Sequence, residues 1–360
     1  MCKNNPLWFL LLSLAMICNA SFVAYAGADE VRPDARSYCF RTVNVSDGLS
    51  QNTVLKILQD RTGYMWFGTK DGLNRYDGRS FRIYSKDNSE LRCNIITNLA
   101  EDGDGNIWIG TDRGVYKYDP VTDRISDLSS VTEEGVRITC RVSGLEWNRD
   151  RGEVWISVEK QGFFVYSMKD KTLRLMFHSP LSISSFARVG DRLWFGHYLD
   201  NLYFVDTDFS GRPSVFKDVD GKEVFSGETV NTITGGGHNR VYVGTTSRLL
   251  EINLTNRKTR LILNDYVRAM AIRDNEELWV GGESGLHIID TRDGSVKRHI
   301  TAPDQDEKYS LADNAIYSLF KDREQGMWIG SYFGGLNYLP YPYTLFEKYY
   351  PHGDMSFLGR

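Results

Sequence analysis

The chain has 360 residues, with 43 lysines and arginines against 47 aspartates and glutamates, a formal net charge of −4 and 41% hydrophobic residues. These proportions exclude an intrinsically disordered, collagen-like or coiled-coil chain. Both signs of charge are scattered along the sequence with no block of lysine or arginine, which disfavours nucleic acid or an anionic membrane surface as a partner.

The first 26 residues have the pattern of a secretory signal peptide. Lys3 precedes an apolar run over 7–17, and the small-x-small site 24–26 follows it. Because the run is shorter than the roughly 20 residues of a spanning helix, a cleaved peptide is favoured over an uncleaved anchor. It is also favoured over a lipid anchor at Cys18, and it predicts a periplasmic protein.

Cleavage at that site leaves three cysteines, Cys39, Cys93 and Cys140. None lies in a C-x-x-C motif or has a histidine at metal-ligand spacing, so we interpret them as buried structural thiols. The 33 glycines and 20 tyrosines, 18 phenylalanines and 8 tryptophans favour many short strands joined by tight turns.

A repeated segment fills the remaining sequence. It reads Gly-x-apolar-Trp-apolar-Gly and then Gly-apolar-x-x-apolar-Asp, most clearly at 63–77 and 105–119. Its central aromatic residues lie 37 to 49 residues apart, which is the length of a four-stranded propeller blade. They are Trp66, Trp108, Trp155, Trp194, Tyr242, Trp279 and Trp328. Seven copies predict an all-β fold, a seven-bladed β-propeller of four-stranded antiparallel blades over residues 27–344.

The first copy predicts strands over 53–59, 64–69, 73–76 and 81–84. A four-stranded sheet has two faces to bury, and stacking blades around an axis buries both. We therefore interpret the seven aromatic residues as blade-to-blade core, not as a cofactor cage.

Two segments compete to supply the last blade with its outer strand. They are 39–44, which lacks preceding strands of its own, and 345–350, which follows the seventh copy directly. Residues 345–360 are then either an extra outer strand or the beginning of a missing second propeller.

Residues 40–84 resemble the opening of the periplasmic sensor region of Bacteroidetes hybrid two-component systems, which is built from two-component regulator propeller repeats. The resemblance extends over nearly all of the chain after residue 26 and weakens in the middle, where Ser157 replaces a glycine and Tyr242 a tryptophan. It implies a sensor input module for oligosaccharides that controls genes for glycan use. It also implies that a second propeller and the sensor kinase parts are missing here, and that the full-length receptor could form a homodimer.

Propellers bind ligands most often at one mouth of the axial channel, where loops between second and third strands gather. We call these seven segments the inner loops, and they cover 70–71, 112–113, 159–161, 197–200, 246–247, 283–284 and 332–333. Aromatic faces suit the C–H patches of a sugar, and charged or amide groups suit its hydroxyls. The predicted ligand-binding residues are Lys70, Asp71, Arg113, Lys160, His197, Tyr198, Asp200, Tyr332 and Phe333. Ordinary loop residues or a contact with another domain are the alternative interpretation.

Other chemistry finds little support. The run Asp102-Gly-Asp-Gly-Asn106 resembles a calcium loop, but Arg113 stands where an EF-hand needs its glutamate. The Asp-x-x-Gly-x-x-Trp turns resemble the Asp-box of sialidases, without that family's arginine cluster or tyrosine nucleophile. The sequence therefore predicts no enzyme, no metal and no cofactor. A free-standing secreted propeller that binds a protein or glycan and a carbohydrate-active hydrolase or lyase remain as alternatives.

Overall fold

A computed structural model describes residues 38–129, 135, 137–237, 239–274, 276–303 and 309–341. They form seven four-stranded antiparallel sheets, of which six contain four strands consecutive in the chain and the seventh combines the first strand of the chain with the last three. The predicted seven-bladed propeller is confirmed. The predicted signal peptide and residues 345–360 lie outside the described residues.

The strands follow one another blade by blade. Strand β1 (Arg41–Val43) and a short 3-10 helix (Val45–Asp47) precede the first complete blade. Blades 1 and 2 contain β2 (Val54–Gln59), β3 (Met65–Thr69), β4 (Gly72–Tyr76) and β5 (Phe81–Tyr84), then β6 (Ile96–Glu101), β7 (Ile107–Thr111), β8 (Gly114–Asp119) and β9 (Arg124–Asp127). Blades 3 and 4 contain β10 (Val142–Asn148), β11 (Glu153–Val158), β12 (Gly162–Ser167) and β13 (Thr172–His178), then β14 (Ile183–Val189), β15 (Arg192–His197), β16 (Leu202–Asp206) and β17 (Ser214–Val215).

The second half continues the same pattern. Blades 5 and 6 contain β18 (Val230–Gly236), β19 (Arg240–Thr245), β20 (Leu249–Asn253) and β21 (Thr259–Leu263), then β22 (Val267–Asp274), β23 (Glu277–Gly282), β24 (Leu286–Asp290) and β25 (Val296–Ile300). Blade 7 contains β26 (Ile316–Lys321), β27 (Met327–Ser331) and β28 (Leu336–Leu339).

The ring is closed by the N-terminal strand. Strand β1 pairs antiparallel with β28, with Arg41 opposite Tyr338 and Val43 opposite Leu336. The first strand of each blade lies innermost and contacts the first strand of the next blade, and β2 contacts β26 across the junction. Of the two segments that compete in the sequence, 39–44 therefore supplies the outer strand of blade 7.

The seven repeated aromatic residues are buried between the blades, as predicted, and none is more than 7% exposed. In three blades a buried aspartate six residues earlier accepts a hydrogen bond from the indole Nε1. The Asp60–Trp66, Asp102–Trp108 and Asp322–Trp328 distances are 2.7, 2.9 and 3.0 Å. The Asp-x-x-Gly-x-x-Trp turn of blades 1 and 2, and the corresponding turn of blade 7 with Gln325 in place of the glycine, thus join the first hairpin of a blade to its core. This contact explains the spacing of aspartate and tryptophan without any enzymatic role.

A glycine near the end of the second strand makes room for the neighbouring blade in every blade except the third, where Ser157 takes its place. A Cβ atom at Gly196 would lie 2.3 Å from Cβ of Val230, the first residue of the next innermost strand. Gly110 stands in the same way against Val142, and Gly330 against Val54 across the ring junction. In these blades the close approach of the next innermost strand leaves no room for a Cβ atom, which accounts for the repeated glycine.

The cysteine prediction is correct in part. Cys93 and Cys140 form no disulfide, in agreement with the sequence. All three cysteines, Cys39 included, are partly exposed and not fully buried, because they lie in connections near the blade ends and not in central strands.

Candidate functional site

Every innermost strand carries a β-bulge at its second residue. The register against the second strand shifts at this point in all seven blades. A bulged residue is left out of the ladder, and its side chain is re-aimed. We call this residue the bulge residue, and from blade 1 to blade 7 it is Leu55, Thr97, Ser143, Ser184, Asn231, Arg268 and Tyr317.

Blades 2 to 5 have small polar bulge residues, and most of these join neighbouring blades. Thr97 Oγ1 donates to the carbonyl of Val142 at 2.7 Å, and Ser184 Oγ donates to the carbonyl of Val230 at 2.7 Å. Asn231 Nδ2 donates to the carbonyl of Val267 at 2.9 Å. Ser143 instead bonds Ser157 within its own blade, at 2.8 Å. In this sector the bulge serves the ring itself.

Blades 6, 7 and 1 depart from this pattern, with Arg268, Tyr317 and Leu55 as bulge residues. The two large side chains meet, because the Arg268 guanidinium lies 4.0 Å from the centre of the Tyr317 ring. Around them gather aromatic and charged side chains from four loops or connections. We call this set the mouth cluster, and it consists of Lys70, Tyr266, Arg268, Glu283, Tyr317, Tyr332 and Phe333.

Three predicted ligand-binding residues meet on one side of the mouth cluster. Lys70 Nζ donates to the hydroxyl of Tyr332 at 2.7 Å and lies 4.0 Å from the centre of its ring. The ring of Phe333 lies 4.6 Å from that of Tyr332, and its side chain is 73% exposed. Tyr332 also packs against Tyr317, with ring centres 5.1 Å apart. The inner loops of blades 1 and 7 are thereby joined through an aromatic platform.

Arg268 extends the platform to blade 6. Its Nε donates to Glu283 Oε1 at 2.9 Å, and its guanidinium lies 4.8 Å from the ring centre of Tyr266. Burial raises the pKa of Tyr317 above its usual value of 10.0, so its hydroxyl stays protonated at neutral pH. The mouth cluster alternates cations with aromatic rings, an arrangement that offers stacking faces and hydrogen-bonding groups to one ligand.

Three other predicted residues lie on the inner loops of blades 1 to 3, outside the mouth cluster. Asp71 accepts a hydrogen bond from Asn94 Nδ2 at 2.7 Å. Arg113 and Lys160 are exposed, and Lys160 has a left-handed backbone with φ of 60°. These side chains share the face of the ring without contacting the aromatic platform.

The remaining predicted residues form a separate group on blade 4, three blades from both blade 1 and blade 7. His197 Nδ1 lies 3.4 Å from Asp200 Oδ2, and His197 Nε2 lies 2.9 Å from Ser179 Oγ. The order serine–histidine–aspartate resembles a hydrolase triad, but Ser179 is only 4% exposed and its hydroxyl donates to the carbonyl of Leu181 at 2.6 Å. The group therefore supports the loop that holds Tyr198, whose side chain is 62% exposed.

The calcium-like run at Asp102 is a structural turn. Asp102 Oδ1 accepts hydrogen bonds from the backbone amides of Asp104 and Asn106, each at 2.9 Å, and Oδ2 accepts from Trp108. These donors occupy the carboxylate that a cation would need. No group of three histidine, cysteine, aspartate or glutamate side chains within the described part of the chain could hold a metal ion.

Two charged residues with shifted pKa values lie on innermost strands. Lys56 lies on blade 1 and Glu146 on blade 3, and each is half-buried. Burial lowers the pKa of Lys56, and the charge of Glu146 opposes that shift. Burial also raises the pKa of Glu146, against hydrogen bonding and charge from Arg188 and the charge of Lys56. Opposite charges on the innermost strands of blades 1 and 3 therefore act on each other.

A cleft of about 390 Å³ lies elsewhere, at the outer rim between blades 1 and 2. Arg82 forms an ion pair there with Asp123, which also accepts hydrogen bonds from the hydroxyls of Tyr84 at 3.1 Å and Tyr118 at 3.0 Å. These contacts fasten two blades together, so we assign the cleft a structural origin and place the candidate site at the mouth.

Four residues of the mouth cluster are not among the ligand-binding residues predicted from the sequence: Tyr266, Arg268, Glu283 and Tyr317. Arg268 and Tyr317 lie inside strands, whereas the prediction considered loops. A signal was present, because the second residue of the innermost strand is small and polar in four copies and large in these two.

Comparison with known proteins supports the assignment of the repeats. Residues 48–71, 90–113 and 310–333 match the family model of the two component regulator propeller. Each matched segment begins before an innermost strand and ends within an inner loop. Three of the seven repeats therefore match this family model. A stretch of 54 residues is 46% identical to the Histidine kinase P4 of Formosa agariphila, covering 15% of this chain and 4% of the kinase.

Solved structures share the fold. The extracellular domain assigned to the hybrid two component system BT3049 of B. thetaiotaomicron superposes with a TM-score of 0.71 at 24% identity, over 84% of this chain and 42% of that chain. The extracellular domain assigned to the hybrid two component system BT4673 of the same organism gives a TM-score of 0.70 at 21% identity, over 84% and 40%. The chain thus spans about two fifths of these relatives.

No helix among the described residues is long and apolar enough to cross a membrane.

Proposed function

We propose that this propeller is the extracytoplasmic input module of a hybrid two-component sensor and that its mouth cluster binds oligosaccharides. The repeats support the first part, since they resemble those in extracellular domains of such systems. In this proposal the chain is exported to the periplasm, and kinase and DNA-binding activities belong to parts of the receptor outside this sequence. A second propeller and receptor dimerisation remain part of the same proposal.

The observation that carries the binding proposal is the aromatic platform across blades 6, 7 and 1. Sugars stack their C–H faces on aromatic rings, and Tyr332 and Phe333 present two rings at 78° to each other beside the lysine ammonium of Lys70. Arg268 and Glu283 add donors and an acceptor for hydroxyl groups. A sensor has only to bind its ligand. The aromatic platform can do so without a reacting pair of carboxylates.

Calorimetry of the purified protein against a panel of oligosaccharides tests this proposal. We expect at least one saccharide to bind and the Phe333→Ala and Tyr332→Ala variants to weaken it about tenfold or more, the loss of a stacking face. Tyr64→Ala is the matched control, since this tyrosine is partly exposed on the opposite face of the ring. Equal affinity in all four proteins would contradict the proposed site.

The same panel tests the absence of catalysis. We expect every saccharide to be recovered unchanged after prolonged incubation. Release of product that disappears on substitution of a mouth carboxylate such as Glu283→Gln would contradict the sensor proposal in favour of an enzyme.

A further inference from the structure

The carboxylates on the inner loops all have partners within the protein. Asp71 accepts from Asn94, and Asp112 pairs with Arg141 at 2.8 Å. The other three also have cationic or hydrogen-bonding partners: Glu159 with Arg141, Asp200 with Tyr203, and Glu283 with Arg268. Negative charge on these loops is therefore largely neutralised or hydrogen-bonded within the protein.

The positively charged side chains on three consecutive inner loops differ from these carboxylates because they form no ion pair within the described part of the chain. Lys70, Arg113 and Lys160 lie on blades 1, 2 and 3, and none forms an ion pair within 4.0 Å with a carboxylate of the described residues. Arg113 and Lys160 are exposed, and Lys70 is fixed against the ring of Tyr332. Three positively charged side chains without an ion-pair partner among the described residues thus form an arc that begins at the aromatic platform.

This arc does not follow from composition, because acidic residues exceed basic ones in the chain. Like charges held along one face repel each other, and an anion that bridges them relieves the repulsion while gaining attraction. A neutral sugar gains nothing from the arc. A saccharide with carboxylates or sulfates spaced along its length engages both the arc and the platform.

We propose that the ligand of this mouth is an anionic oligosaccharide, a uronate or a sulfated glycan. Its sugar rings stack on Tyr332 and Phe333, and its acidic groups lie against Lys70, Arg113 and Lys160. This inference rests on the proposed function and narrows its substrate class.

Calorimetry with chemically matched pairs tests the inference. The probes are an oligogalacturonate hexamer with its fully methyl-esterified form, and a heparin hexasaccharide with its desulfated, N-acetylated and carboxyl-reduced form. We expect an acidic member to bind at least tenfold more tightly than its neutral counterpart, with an affinity that falls as NaCl rises from 50 to 300 mM.

Variants locate the interaction. We expect Arg113→Gln and Lys160→Gln each to weaken the acidic ligand about threefold or more and to leave the neutral counterpart unchanged. Lys169→Gln is the matched control, because this exposed lysine lies on blade 3, as Lys160 does, but at the opposite face of the ring. An acidic ligand that binds the Arg113 and Lys160 variants as tightly as wild type would overturn the inference.

The outcomes separate the two proposals. If neutral saccharides bind as tightly as acidic ones and Phe333→Ala weakens both, the anionic class is wrong and the proposed function stands. If no saccharide in either pair binds, this inference is wrong, and the wider oligosaccharide panel decides the proposed function. If an acidic saccharide binds Phe333→Ala as tightly as wild type, the proposed site fails together with this inference.

Discussion

The channel mouth contains two sectors that share one backbone and differ in side chains at one repeated position. In blades 2 to 5 the bulge residue is small and polar, and Thr97, Ser184 and Asn231 each donate to a carbonyl of the next blade. In blades 6 and 7 the same bulge presents Arg268 and Tyr317 to other side chains. A small polar bulge residue stabilises the ring, in most cases by a hydrogen bond to the next blade. A large side chain at the same position marks a candidate site.

We expect the largest loss of stability at a residue that holds the fold of a blade together. Asp102→Ala removes the carboxylate that accepts hydrogen bonds from two backbone amides and from the buried indole of Trp108. We therefore expect the free energy of unfolding to fall by about 3 kcal/mol. Urea unfolding measures this change. Asp104→Ala, an exposed aspartate in the same turn, is the control and should stay within about 0.5 kcal/mol. Equal losses in both variants would refute the structural role of the turn.

Gly196 sharpens the same comparison at the blade interface. Gly196→Ala places a Cβ 2.3 Å from Cβ of Val230, so blade 5 must move outward, and we expect a loss of about 2 kcal/mol. Thermal and urea unfolding measure it. Gly211→Ala is the control, because a Cβ there meets no atom within 4 Å. A Gly196→Ala protein as stable as wild type would show that the blades do not require the glycine.

A third pair compares the two sectors directly. Ser184→Ala removes hydrogen bonds to the carbonyls of Val230 and Gly196, and we expect the stability to fall by about 1 kcal/mol. Phe333→Ala removes an exposed ring and should change the stability by less than about 0.5 kcal/mol. If Phe333→Ala destabilises more than Ser184→Ala, the aromatic platform is a structural element and the division between sectors is wrong.

The smallest effect concerns pH and the blade 4 group. Burial lowers the pKa of His197 below its usual 6.5, against the opposing influence of Asp200. The unfolded chain therefore binds more protons between the two pKa values, and stability present above pH 6.5 is lost as the pH falls from there. His287 has a pKa lowered mainly by burial and then by His299, and it contributes in the same direction.

Urea unfolding between pH 7.5 and 5 checks this expectation. His197→Gln should flatten the pH dependence, whereas substitution of the exposed His178 to glutamine should preserve it. An unchanged slope in His197→Gln would show that this buried histidine does not titrate with unfolding.

Particular residues show which features of the structure could be predicted from the sequence. The seven aromatic centres were sufficient for the fold, because one blade cannot bury both faces and the repeat recurs at blade length. The closing strand could not be chosen, since 39–44 and 345–350 have equally suitable patterns and only pairing with β28 decides. Lys70, Tyr332 and Phe333 were predicted on one face, and their contact depends on the meeting of blades 1 and 7.

The partners of that contact were beyond a loop-based prediction. Arg268 and Tyr317 have the pattern of strand residues, and only a comparison of the same bulged position in all seven repeats distinguishes them from ordinary strand residues. His197 and Asp200 were grouped with the other loop residues, although burial of Ser179 and His197 makes their contacts internal.

Hydrogen–deuterium exchange with and without the tightest-binding oligosaccharide tests the central claim most directly. The account predicts slower exchange in residues 70–72, 264–268 and 332–335, at the mouth sector of blades 6, 7 and 1. It predicts unchanged exchange in the turn 60–64 on the opposite face. Protection confined to the blade 4 loop at 197–200, or to the opposite face, would contradict it.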